Sequence, residues 1–282
     1  MQTELTAEKL SAGYTEGFCF YDLNLSIPSH KITSLIGANG SGKSTVLKAM
    51  TRLIPIKHGA VYLDGQSIYQ MRTRDVAQKL AILPQNSQCP DGLSVEELVA
   101  NGRFPYRKGM KGLTEEDNRI IRWAMESCNI SDFSSREVDS LSGGQRQRVW
   151  IAMALAQKTD ILFLDEPTTF LDIAHQLDIM HLLVRLNKQQ GVTIVMVLHD
   201  LNHAAMFSDN IVAISNGTKY YEGSPEQVIV PEVLRAVFNV EAIIVKHPVL
   251  RTSLCLPYDL CKNVSNEQKN QPFHEGGLSD ET

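Results

Sequence analysis

The sequence lacks the features of an exported or membrane-spanning chain. Its first ten residues, MQTELTAEKL, have neither a basic start nor a continuous apolar segment, so no secretory signal is predicted and a cytosolic location is expected. The longest aliphatic runs, such as residues 192–198, are far shorter than the about 20 apolar residues of a transmembrane helix. Any role at a membrane is therefore expected to require another subunit.

Cysteine and net positive charge are also scarce. The five cysteines include no C-x-x-C pair, which is typical of a reducing compartment and favours packed or free thiols over a metal site at Cys255 and Cys261. The formal net charge of −5 provides no general attraction to nucleic acid or to an anionic membrane. Nucleic acid is therefore not an expected partner.

The sequence does contain aliphatic, strand-like runs that alternate with amphipathic helical patterns. Several runs are continuously aliphatic, as strands buried on both faces of a sheet are. This alternation predicts an α/β fold with a largely parallel central sheet. The predicted strands are residues 23–27, 32–36, 61–63, 80–83, 161–164, 192–198 and 211–214, and the predicted helices are residues 43–53, 145–157 and 173–190.

Two segments depart from this alternation and set the predicted boundaries. Residues 86–140 carry helical signals only, including Ser94 with Glu97 and Thr114 with Asp117 as capping-box pairs. We therefore predict a helical insert there. The core is predicted to consist of residues 1–85 and 141–256, followed by a flexible tail at 257–282 because the end of the chain is polar.

A glycine-rich segment, the phosphate-binding loop at residues 37–45, matches G-x-x-x-x-G-K-[ST] between a predicted strand and a predicted helix. Glycines let consecutive N–H groups face an anion, and the helix start adds the positive end of its dipole. Lys43 can then reach the β- and γ-phosphates of ATP, and Ser44 can ligate Mg²⁺. An ordinary glycine-rich turn is the alternative. The predicted nucleotide-binding residues are Gly37, Ala38, Asn39, Gly40, Ser41, Gly42, Lys43, Ser44 and Thr45.

A pair of carboxylates, Asp165 and Glu166, ends an aliphatic strand, which places charge at the edge of a sheet where ligands bind. Because side chains alternate along a strand, the two acids are expected to point in different directions. Asp165 is then suited to hold Mg²⁺ and its ligand shell, and Glu166 is suited to polarise an attacking water. Acids after a strand are otherwise common as turn or helix-cap residues, and the phosphate-binding loop upstream favours the catalytic interpretation.

Residues 141–145 have the sequence LSGGQ and precede a long amphipathic helix. Alone, this segment is an N-cap followed by a glycine turn. LSGGQ nevertheless resembles the signature motif of ABC ATPases, and further motifs of that family occur in the expected order over roughly residues 5–225. The resemblance implies a P-loop NTPase core of the RecA-like type, with a mostly parallel central sheet, an antiparallel β subdomain and an inserted helical subdomain.

The resemblance also implies roles for single residues. Tyr14 would stack on adenine, Gln85 of the Q-loop would sense Mg²⁺ and water, and the switch histidine His199 would contact the γ-phosphate, with Glu166 as the general base. Alone, Tyr14 could be a packing residue, Gln85 a polar loop residue and His199 an ordinary strand-end histidine. The family forms a head-to-tail dimer that clamps two ATP molecules. The residues that would face the nucleotide of a second copy are Ser142, Gly143, Gly144, Gln145 and Asp172.

The implied partners are polytopic permease subunits and, indirectly, an extracellular or periplasmic substrate-binding protein, at the cytoplasmic side of the membrane. Residues 102–106, GRFPY, form the candidate coupling surface, although a helix end with a loop is the alternative. The sequence most resembles ATPases of bacterial iron-siderophore, haem and vitamin B12 importers in three segments: GRFPY, PTTFLDI and VLHDLN. Ferric siderophore is the first expected cargo, before haem, cobalamin, and zinc or manganese.

Two other classes of protein remain as alternatives. A soluble ABC protein of DNA repair, translation or cluster assembly typically has a second cassette or a long coiled-coil insert, and the sequence shows neither a second phosphate-binding loop nor heptads. A P-loop kinase or GTPase would leave LSGGQ and His199 unexplained.

Overall fold

A computed structural model describes residues 3–14, 19–85, 87–107 and 112–261. Within these residues the strands are β1 (Leu5–Gly13), β2 (Cys19–Ile27), β3 (Ile32–Ile36), β4 (Ile56–Leu63), β5 (Gln66–Ser67), β6 (Leu80–Leu83), β7 (Ile161–Asp165), β8 (Thr193–Val197), β9 (Asn210–Ser215), β10 (Thr218–Gly223), β11 (Val240–Lys246) and β12 (Ser253–Leu260). The α-helices are α1 (Lys43–Met50), α2 (Thr73–Ala77), α3 (Val95–Ala100), α4 (Glu115–Ser127), α5 (Gly143–Ala156), α6 (Ile173–Gln190), α7 (Leu201–Phe207), α8 (Pro225–Val228) and α9 (Pro231–Phe238), and short 3₁₀ helices span Asn101–Tyr106, Ser131–Phe133 and Val138–Ser140. In this part of the chain, no helix is both long and apolar enough to cross a membrane.

The central sheet has the strand order β10-β9-β3-β8-β7-β6, and all neighbours are parallel except β10, which runs antiparallel to β9 at one edge. Every residue of β3, β7 and β8 is buried, because parallel strands are covered on both faces. The prediction of an α/β fold with a mostly parallel sheet is confirmed.

Side chains of the central strands divide between two hydrophobic layers. Leu35 and Phe163 belong to the layer that includes α1 and the antiparallel sheet, whereas Ile36 and Leu164 belong to the layer that includes α5 and α6. Since residues two apart on a strand share a face, the residue after Leu164 returns to the α1 side. The alternation of β7 therefore directs Asp165 toward the phosphate-binding loop.

A second sheet, with the order β2-β1-β4-β5, is antiparallel throughout, as the resemblance implied. Strands β2 and β4 are longer than the predicted runs at 23–27 and 61–63, and β1 was not predicted at all. The reason is that such strands expose polar residues on one face, and β1 also has two register shifts against β2. Neither feature produces a continuous aliphatic run.

Between β6 and α5, the described residues 87–107 and 112–140 form α3, α4 and the 3₁₀ helices. Both predicted capping boxes are present: Ser94 Oγ accepts from the Glu97 N–H at 3.3 Å, and Thr114 Oγ1 accepts from the Asp117 N–H at 3.1 Å. Helices α3 and α4 both pack on α5. The insert is thereby joined to the helix that follows the LSGGQ motif.

The predicted start of the tail, at residue 257, is wrong. Residues 257–260 form the second half of β12 and pair with β11, with Val240 opposite Leu260. The backbone of β12 is anchored on α7, because the Asn202 side chain accepts from the Cys255 N–H and donates to its carbonyl. Polar composition concealed this backbone pairing. The rest of the predicted tail, residues 262–282, lies outside the described residues.

Candidate functional site

The loop between β3 and α1 is a helix start without a side-chain cap. Gly42 occupies the N-cap position with φ 100°, in the left-handed region that favours glycine, and the described part of the chain provides no side-chain cap hydrogen bond there. The first N–H groups of a helix have no partner inside it. In α1 these donors are therefore left for an anion at the helix start.

Lys43 is buried beside this helix start. Its Nζ donates to the carbonyl oxygens of Gly37 and Ala38, at 2.9 and 3.0 Å. Burial lowers the pKa of Lys43, while the nearby charges of Glu166 and Asp165 oppose that shift. The loop thus holds a cation against its own carbonyl groups, where a phosphate can reach it.

Ser44 and Asp165 form the second part of the site. The Ser44 hydroxyl donates to Asp165 Oδ1 at 2.7 Å, and burial raises the pKa of Asp165 while that hydrogen bond opposes the rise. Among the described residues, no three His, Cys, Asp or Glu side chains cluster to form a complete metal site. A hydroxyl with one carboxylate fits Mg²⁺, which takes its other ligands from phosphate and water.

Glu166 lies at the centre of the catalytic candidates. Its backbone has φ 55°, and its carboxylate accepts from Gln85 Nε2 at 2.5 Å and from Thr169 Oγ1 at 3.0 Å. His199 Nε2 is 2.5 Å from Glu166 Oε1. The structure thus brings together Gln85, Glu166 and His199, the three residues predicted to be catalytic.

Thr169 is a contact of Glu166 that we did not predict. The Thr169 N–H also bonds the Glu166 carbonyl, at 3.3 Å, in a turn. A hydroxyl three residues after an acid at a strand end is the sequence signal for this contact. It is too common a pattern to indicate a functional residue without the structure.

A cavity of about 190 Å³ opens on these groups. Within the described residues, its wall does not include Tyr14, the signature loop (residues 142–145) or Asp172, and Tyr14 stands half-exposed after β1. The predicted site residues therefore fall into one group that lines the cavity or bonds to residues of its wall, and another that lies elsewhere. The lining residues are Asn39, Gly40, Gly42, Lys43, Ser44, Thr45, Glu166 and His199.

The signature loop and Asp172 belong to the second group, and each begins a helix. Ser142 caps α5 and forms a capping box with Gln145. Asp172 caps α6, and hydrogen bonds from the backbone and side chain of His175 hold the pKa of Asp172 below its usual value. Ser142 and Asp172 are both exposed. The capping residues of both helices are therefore accessible at the surface of the chain.

The candidate coupling segment, residues 102–106, is only partly exposed, although a coupling surface was expected there. Arg103 is buried, with its Nε donating to Asp117 at 2.8 Å and its guanidinium 3.9 Å from the Tyr106 ring centroid. A buried guanidinium requires such partners, so Arg103 joins parts of the insert. Phe104, in contrast, is 73% exposed.

Comparison with known proteins identifies the family to which this chain belongs. Residues 20–169, more than half of the chain, match the family model described as ABC transporter. The iron(3+)-hydroxamate import ATP-binding protein FhuC of Bacillus subtilis (strain 168) is 54% identical over 259 residues, which cover 92% of this chain and 96% of that protein. The chain belongs to the ABC transporter family. It is an ATPase of that family.

Two solved structures resemble this ABC ATPase. One, an inward-facing metal-chelate type ABC transporter, is 27% identical with a TM-score of 0.79 and covers 92% of this chain and 98% of that one. The other is a bacterial ABC transporter cassette solved as a dimer, which is 30% identical with a TM-score of 0.68 and covers 78% and 98%. Both likenesses support the assignment of fold and family.

Proposed function

We propose that this ABC ATPase powers the uptake of an iron-siderophore complex through a separate membrane permease. For ATP hydrolysis, the observation that carries the proposal is the contact of Glu166 with Gln85 and His199 beside the phosphate-binding loop. This cluster provides a base and its neighbours at the place where the terminal phosphate of ATP would lie.

The chain's own groups account for nucleotide binding. Lys43 and the uncapped start of α1 would hold the phosphate charge, and Tyr14 would stack on the adenine. Ser44, Asp165 and Gln85 are the residues that would hold Mg²⁺, which neutralises phosphate oxygens when it is bound. The Ser44 to Asp165 hydrogen bond already places two of these oxygen-bearing groups together.

In the hydrolytic step, Glu166 would take a proton from the water that attacks the γ-phosphorus as the bond to the bridging oxygen of ADP breaks. Hydrogen bonds from Gln85 and Thr169 orient the Glu166 carboxylate. His199 lies close enough to Glu166 for both to act on one phosphate group. Phosphoryl transfer needs mainly such positioning and charge stabilisation.

A second copy of the chain would complete the site. The signature loop and Asp172 lie outside the wall of the cavity, so within one chain they do not line the site. The related cassette that was solved as a dimer supports pairing of two copies, and the arrangement that we propose is head-to-tail with two ATP molecules between them. Each nucleotide would then contact one copy's phosphate-binding loop and the other copy's signature loop.

The permease would dock in a groove between α2 and the insert. This groove has a volume of about 560 Å³, and Phe104 at its edge provides an exposed apolar contact. Arg74 and Gln78 donate to the Pro105 carbonyl, at 2.7 and 2.9 Å, which ties the groove to the core. Such docking would place the ATPase at the cytoplasmic side of the membrane, with the substrate-binding protein on the opposite side.

The cargo is inferred from relatives, because an ATPase of this kind does not contact the transported solute. FhuC is named for iron(3+)-hydroxamate import, and the transporter with the TM-score of 0.79 is described as metal-chelate type. Ferric hydroxamate is therefore the cargo that we propose, ahead of haem or cobalamin.

Complementation tests this function directly. In Bacillus subtilis that lacks FhuC, we expect this chain to restore the uptake of radioactive iron supplied as a ferric hydroxamate. The Glu166→Gln chain should not restore uptake although it binds ATP, because it lacks the base. Uptake restored equally by both chains would contradict the role of Glu166. No uptake, with the chain present at the membrane, would contradict the cargo.

A further inference from the structure

The starts of α5 and α6 are in direct contact. A Cβ atom at Gly144 would overlap the imidazole ring of His175, and a Cβ atom at Gly143 would lie 3.7 Å from Leu171 Cδ2. Gly144 is buried although its neighbour Gly143 is exposed. A side chain at position 144 would therefore require a close neighbour to move. That neighbour is His175.

The same imidazole is bonded to Asp172. His175 Nδ1 lies 2.8 Å from Asp172 Oδ1, and the His175 backbone N–H donates to the same oxygen at 2.9 Å. Because a carboxylate only accepts, Nδ1 carries the proton in this hydrogen bond. One side chain thus contacts Asp172 through Nδ1 and the signature loop through its Cδ2 edge.

We infer that His175 is a positioning residue that fixes Asp172 relative to the signature loop, so that both reach the nucleotide of a second copy as one unit. This inference rests on the proposed head-to-tail dimer. A half-site that is already ordered before association avoids the entropy cost of ordering it in the complex. His175 would therefore promote ATP-driven pairing without contacting the chain's own nucleotide.

The side-chain contact is separate from the helix cap. Asp172 still receives the backbone N–H of residue 175 when the side chain there is changed, so α6 keeps its cap. The His175 side chain is 42% exposed, so it contributes little to the buried core. Its loss is therefore expected to affect the geometry of the half-site more than the stability of the fold.

The test uses the full chain with Glu166→Gln, which we expect to keep its ATP because it lacks the base. We expect His175→Ala to weaken ATP-dependent dimerisation by about tenfold, as loss of a hydrogen bond to a charged group does. ATP affinity, measured at concentrations where the chain is monomeric, and the melting temperature should be unchanged. His175→Asn, with an amide nitrogen in the Nδ1 position, and His175→Phe, which keeps a ring against Gly144, should each recover part of the loss.

His181→Ala is the matched control, because His181 is an exposed histidine further along α6 and should not affect dimerisation. If His175→Ala pairs as tightly as its parent, the inference is wrong and the proposed function is untouched. If that variant loses monomer ATP affinity or melting temperature together with pairing, His175 is a general structural residue and the inference is also wrong. If the Glu166→Gln parent does not pair with ATP, the proposed dimer fails and the inference fails with it.

Discussion

The two helix starts that carry the family motifs are constructed differently. Helix α1 starts at Gly42 without a side-chain cap and opens on a cavity, whereas α5 starts at Ser142 within a closed capping box. An uncapped start leaves N–H donors for a ligand, while a capped start holds its shape unaided. One helix start is thus suited to binding a nucleotide within the chain, and the other to presenting a preformed surface.

The charged residues near these two helix starts also differ in how far they are buried. Lys43 and Asp165 are buried, and burial is the largest cause of the pKa shift of each. Asp172 is exposed, and hydrogen bonds rather than burial govern the direction of its pKa shift. Charges in the buried group are less screened by solvent. We therefore expect mutations there to change nucleotide affinity, and mutations near the signature loop to change association.

The sharpest test of this contrast is Lys43→Ala. We expect nucleotide affinity to fall on the order of 100-fold, because a buried ammonium that can contact phosphate is lost. Titration of the chain with labelled ATP, at concentrations below those of dimer formation, measures the effect. Lys31→Ala is the control, since Lys31 is an exposed lysine paired with Asp209. Unchanged affinity in Lys43→Ala would remove the phosphate-binding loop from the proposed site.

Local patterns were enough to predict much of the central fold. The predicted boundaries 32–36, 80–83 and 173–190 coincide with β3, β6 and α6, because buried parallel strands and long helices leave strong periodic signals. Ser94 and Thr114 were identified as caps from residues three positions away. Structural features that depend only on residues close together in the sequence could therefore be predicted.

Contacts between distant segments were not recoverable in this way. Arg103 reads as a surface cation, but its partners lie at Asp117 and at the carbonyl of Ala156. His175 reads as an ordinary helix residue, although it packs against Gly144 across the fold. Such contacts depend on the tertiary arrangement, which a periodic pattern does not encode. Thr169 was missed for a different reason, because its contact with Glu166 spans only three residues and follows a pattern too common to single it out.

The predicted role of the capped α5 start in association is tested by Ser142→Ala in the Glu166→Gln chain. Ser142 would face the nucleotide of the second copy, so losing one hydrogen bond of about 1 kcal/mol there should weaken ATP-driven dimerisation roughly fivefold while the ATP affinity of the monomer is kept. Light scattering of the chain with ATP measures pairing. Ser94→Ala removes the same type of capping box from α3 and should leave dimerisation unchanged. An equal loss in both variants would show that helix stability alone is responsible.

The smallest expected effect concerns Thr169, which we expect to act with the residues around the phosphate-binding loop and not with the signature loop. Thr169→Val removes the hydroxyl that donates to Glu166 but keeps a β-branched side chain, so we expect kcat to fall about threefold, as for one weak hydrogen bond. Thr169→Ser should retain the parental rate, because it restores the donor. Steady-state ATPase assays separate kcat from KM, and KM should not change because the hydroxyl bonds the base. A change in dimerisation with an unchanged kcat would instead assign Thr169 to the association surface.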